Sequence, residues 1–103
     1  MPVKADVIRL AYQRLGMGVS GDVVTGAEYT IASDMLDSIF PDDLTWDLTA
    51  VPAAALEPLA TFLAAHVAPQ FAVSPPMSVG RALVRFQAVA YPDDRTAADP
   101  VFY

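Results

Sequence analysis

Cysteine is absent from the 103 residues, which excludes disulfides and thiolate metal sites. Histidine occurs once, at His66, and charged residues make up only 17% of the chain, where about 25% is typical of a soluble domain. The six basic residues, Lys4, Arg9, Arg14, Arg81, Arg85 and Arg95, form no run. Tight phosphate neutralisation needs clustered Lys and Arg, so strong nucleic-acid binding is not expected, although DNA sliding past without sticking is compatible. Catalysis needs convergent acids, bases or nucleophiles, and the sequence offers no EF-hand, HExxH or P-loop spacing. No enzyme activity, catalytic residue, cofactor or metal site is therefore expected. Long uninterrupted apolar runs are missing too. Pro58 to Gly80 holds no Asp, Glu, Lys or Arg, but Pro69, Pro75 and Pro76 break it. Its proline-free part, Leu59 to Ala68, is about half the roughly 20 residues of a membrane span. The opening MPVKADVIRL lacks the apolar core of a signal peptide, and no membrane partner is expected.

What is present is an acidic, apolar chain: 54% hydrophobic, net charge −6 and pI near 4.3. One domain of this length buries roughly 60 to 70% of its unfolded surface. An apolar excess in so small a domain suggests subunit contacts. VKADVIRLAYQRLG sets Val7, Ile8, Ala11, Tyr12 and Leu15 at helical spacing, with Gly16 as the stop. Its successor GMGVSGDVV is glycine-rich, but its glycines suit turns rather than a phosphate cradle. In TGAEYTIASDMLDSIF, Thr25 and Glu28 have capping-box spacing, and Ala27, Ile31, Met35 and Ile39 repeat on one side. Asp34 and Asp37 read as a solvated face. PDDLTWDLTAVP then alternates Leu44, Trp46 and Leu48, which predicts a short extended arm. Asp42 and Asp43 follow Pro41 as turn formers and, being adjacent on an extended segment, point apart rather than into a paired-carboxylate site.

The third helix has almost no polar face. Pro52 suits its first turn, and Pro58 either opens the main helix or kinks it. Leu56, Leu59, Leu63 and Val67 form a bulky row; Ala60, Ala64 and Ala68 form a small one; Phe62 and His66 make a third side. The expectation is that its own chain covers this helix in part and a neighbouring subunit covers the rest. His66, with no acid nearby in sequence, reads as a packed or partner-bonded histidine. The last helix is placed from Ser74 as N-cap and Pro75 at the first position, with Val79, Leu83, Phe86 and Ala90 at core spacing. Arg81 and Arg85, four apart, form a solvated stripe. The spacing thus predicts helices over residues 4–15, 26–39, 53–68 and 75–90 in an all-α bundle, with residues 93–103 as an extended C-terminal arm. Val101, Phe102 and Tyr103 after Pro100 give that arm an apolar anchor, because exposed apolar ends gain nothing in water.

Five segments carry a resemblance: VIRLAYQRLG, ASDMLDSIF, LTWDL, VPAAALEPLATFLAAHVAPQFAV and PPMSVGRALVRFQ. Over roughly residues 3 to 92 the sequence resembles the small head-to-tail connector proteins of tailed phages. That group contains the podovirus packaged-DNA stabilisation protein, or tail accessory factor, and similar siphovirus adaptors. PLATFLAAHVAPQF is the most specific piece, with prolines near both ends of an alanine-rich helix. The resemblance implies a helical adaptor domain over residues 1–92 that forms a dodecameric homo-oligomeric ring below the portal protein. Such a ring extends the DNA channel, presents a platform to a tail or stopper/nozzle protein, and lets packaged DNA pass without sequence-specific binding. The implied location is the virion neck, after assembly in the host cytoplasm. Within that reading Trp46, Leu48, Phe62 and His66 are the expected subunit interface, and Pro100, Val101, Phe102 and Tyr103 the expected portal-docking residues. Two alternatives stand beside it: a small helix-turn-helix DNA-binding regulator, for which Arg81 and Arg85 are the only basic candidates, and a generic helical interaction module.

Overall fold

The computed structural model describes residues 2–16 and 26–91. Helix α1 (Lys4–Arg14) begins where the Asp6 carboxylate turns back to accept the Val3 N–H at 2.8 Å. It ends where Gly16, at φ +75°, takes the left-handed turn that side chains disfavour. Helix α2 (Gly26–Ile39) keeps the expected bounds, while its proposed cap Thr25 lies outside the described residues. Helix α3 (Ala53–Val67) has Pro52 as N-cap and continues unbroken across Pro58, then tightens into a 3₁₀ turn over Ala68–Phe71. Ala72 closes that turn at φ +54°.

Helix α4 (Val79–Ala90) starts four residues later than the Ser74–Pro75 signal predicts. Ser78, not Ser74, is the cap, its hydroxyl accepting the Arg81 N–H at 3.3 Å. The cause is Pro76: a residue before proline is driven out of the helical region, so Pro75 cannot open a helix here. Among the described residues all regular structure is helical, as the periodicity predicts.

Helix α3 is the axis of the bundle and packs on α1, α4 and α2. Leu59, Ala60, Leu63, Ala64 and Val67 are fully buried, and Phe62 is only 5% exposed. Each such large side chain contributes about 1.5–3 kcal/mol by leaving water. The expectation that a neighbouring subunit must help cover this helix is therefore cut back: one chain buries all of it except Ala53 and Ala54, which are exposed, and Leu56, Glu57 and His66, which are half-buried. Ala60, Ala64 and Ala68 form a fully buried row of small side chains, which suits close helix packing. The arm between α2 and α3 completes the wrapping. It forms no strand, but two backbone hydrogen bonds fasten it to the chain start, Lys4 N–H to Leu48 C=O and Val51 N–H to Pro2 C=O, both 2.8 Å.

Candidate functional site

The arm creates the most distinctive surface feature. Phe40, Leu44, Trp46 and Leu48 are each half-buried and floor a shallow groove of about 300 Å³, with Asp37, Asp42 and Asp47 at its rim. The Trp46 ring meets Phe40 edge-on at 5.5 Å and Phe86 at 6.4 Å, so the groove floor continues into the core. Its rim is held in place from several directions. Lys4 Nζ pairs with Asp37 at 2.8 Å. Asp47 accepts the Thr49 N–H at 2.9 Å and also the Thr49 hydroxyl, and these bonds hold its carboxyl below the usual range. Asp42 and Asp43 diverge as expected of adjacent acids: Asp42 stays on the rim, while Asp43 accepts the Tyr91 hydroxyl at 2.6 Å. Apolar floor with an acidic edge suits the docking of an apolar group flanked by positive charge.

The four expected interface residues do not form one patch. Trp46 and Leu48 share the groove. Phe62 lies beneath the surface, stacked on Phe86 at 5.8 Å, which makes it core within a single chain rather than an exposed contact residue. His66 meets the edge of Phe62 at 4.9 Å and is half-buried, and burial lowers its pKa. Phe86 is the link, touching Trp46 on one side and Phe62 on the other. Pro100, Val101, Phe102 and Tyr103, with the whole 93–103 arm, lie outside the described residues.

Two features escaped the sequence reading. The first is Glu57, the single acid of α3. It accepts Arg85 at 2.6 Å and the Thr61 hydroxyl at 2.5 Å, and stands 3.6 Å from Arg14, so it ties α1, α3 and α4 together. The Thr61 bond and then Arg85 hold its carboxyl below the usual range against the opposing effect of partial burial. A lone acid in an apolar helix, in a chain with few bases, was the available signal. The second is the exposed Val84 on the solvated Arg81 and Arg85 stripe that the spacing did predict. Gly80, Arg81, Val84 and Arg85 form a shallow open surface, and Val84 is 52% exposed. This is a basic face with an apolar centre. Tyr12 is structural by contrast: its hydroxyl donates to the Glu28 carbonyl at 2.6 Å, and desolvation, then the Glu28 charge, raises its pKa.

Comparisons with family models, curated proteins and solved structures find no match to this chain.

Proposed function

We propose that this chain is the structural subunit of a head-to-tail adaptor of a tailed phage or phage-like particle. It assembles into a ring below the portal protein, extends the DNA channel and joins the tail or stopper/nozzle protein. The observation that carries this reading is a subunit whose central helix is already sealed but which still offers a half-exposed aromatic and aliphatic groove at Trp46. Apolar surface left over after the core is complete suits a protein neighbour, and a ring supplies one on each side. The net charge of −6 fits a channel that polyanionic DNA must cross without adhering. On this reading Pro100, Val101, Phe102 and Tyr103 reach the portal, and chemistry is left to other components.

The regulator alternative gains no support from α4. Arg85 is engaged by Glu57 at 2.6 Å, which leaves Arg81 as the one cation on that face without an ion pair among the described residues.

The reading is tested by deleting the encoding gene and imaging the particles. DNA-filled heads without tails, converted to complete particles by adding the purified protein, are expected. Deletion particles that carry normal tails would refute it.

A further inference from the structure

Two surfaces of this chain are unlike each other and complementary. The groove is apolar with an acidic rim of Asp37, Asp42 and Asp47. The outer face of α4 is apolar at Val84 and carries the unpaired cation Arg81, beside an Arg85 already held by Glu57. Neither can satisfy the other within one chain, because Val84 sits about 160° around the helix from Phe86, the residue that faces the groove floor. We infer that the Trp46 groove of one copy receives the outer face of α4 of the next copy. This inference rests on the ring reading above and specifies its subunit contact.

Charge decides the occupant. The chain's own segment 92–103 carries Asp93, Asp94 and Asp99 against Arg95 alone, so an acidic rim repels it. A groove-to-groove pairing would set Asp42 and Asp47 against their own copies, Asp37 being paired with Lys4. The α4 face is the matching partner: Arg81 and Asp42 each have no ion pair among the described residues, so both bring an uncommitted charge to the contact. The first turn of α4 contains no acid, so beyond the Ser78 cap no charge of its own chain offsets the positive end of its dipole. Gly80, with nothing within 4 Å of where a Cβ would stand, leaves the backbone open to a ring such as Trp46. Val84 then supplies an apolar group for the groove floor to bury. Because the two patches differ, the contact is head-to-tail, and head-to-tail contacts repeat into a ring where the rotation closes.

The absence of cysteine allows a direct test on the full-length chain. Thr45, beside Trp46, and Gln87, one turn beyond Val84, are exposed and can carry single cysteines without altering either surface. With a short bis-maleimide, the double variant Thr45→Cys/Gln87→Cys is expected to give a ladder of oligomers. Each single variant alone should give none, and an equal mixture of the two singles should stop at dimers. Val84→Asp or Arg81→Glu should lower the yield about tenfold, equivalent to roughly 1.4 kcal/mol. Asp42→Arg should restore it to Arg81→Glu. Dimers from Gln87→Cys alone would show a symmetric α4 contact and overturn the inference. Wild-type oligomers that form but give no Thr45–Gln87 product would overturn it while leaving the ring reading intact. A chain that stays monomeric both free and in particles would remove both.

Discussion

Truncating Phe62 to alanine separates the two roles that an aromatic on α3 could have. The side chain is 5% exposed, stacked on Phe86 at 5.8 Å with the rings 15° apart, and edge-on to His66 at 4.9 Å. Removing it from a packed site costs about 3–5 kcal/mol, transfer and cavity together. A chain of this size has roughly 5–15 kcal/mol in all, so the loss is a large share of its stability. With a urea dependence of about 1.5 kcal/mol per molar, the unfolding midpoint followed by helical circular dichroism should fall by roughly 2–3 M. Phe62→Leu keeps most of the volume and should lose only about 1–1.5 kcal/mol, which keeps the measurement readable if the alanine variant does not fold. Val84→Asp, on the exposed outer face of α4, should stay within about 0.5 kcal/mol of wild type. A Phe62→Ala midpoint matching wild type, combined with lost self-association, would refute the reasoning and make Phe62 a contact residue.

Other outcomes follow from single contacts. Ser78→Ala should cost about 1 kcal/mol because it removes the α4 cap, while Ser74→Ala should cost nothing measurable in the same thermal melts. Ala72→Gly should gain up to about 1 kcal/mol, since Ala72 holds a left-handed φ of +54° that glycine adopts freely. Glu57 has its native pKa lowered from the ordinary 4.5, so its contribution is complete above that value and is lost as pH falls through the lower native one. Glu57→Gln should flatten this acid limb in urea titrations run from pH 6 to pH 3. Burial lowers the His66 pKa from the ordinary 6.5, so the unfolded chain takes up a proton first and stability falls with pH from about 6.5 down to the native value. His66→Gln should remove that upper limb alone, and its persistence would locate the titration elsewhere.

What was legible in the sequence was local. Gly16 announced the end of α1 because a positive φ is a property of one residue, and the structure places it there at +75°. The start of α4 misled because Ser74–Pro75 and Ser78 both look like caps, and the deciding influence was the restriction that Pro76 places on Pro75. Glu57 was visible as an acid, but its partner Arg85 is 28 residues away and no spacing rule pairs them. The same limit governs the interface question. Apolar periodicity establishes that every side of α3 must be covered, yet coverage is a long-range property, and here α1, α2, α4 and the arm supply it. The reason for expecting a neighbouring copy consequently moves from α3 to the surface. Trp46 is only half-buried and Val84 is 52% exposed, so these side chains, rather than Phe62, hold apolar area that association can still remove from water. Their unequal charge surroundings, acidic around Trp46 and basic around Val84, favour contact between different patches over self-pairing of either one.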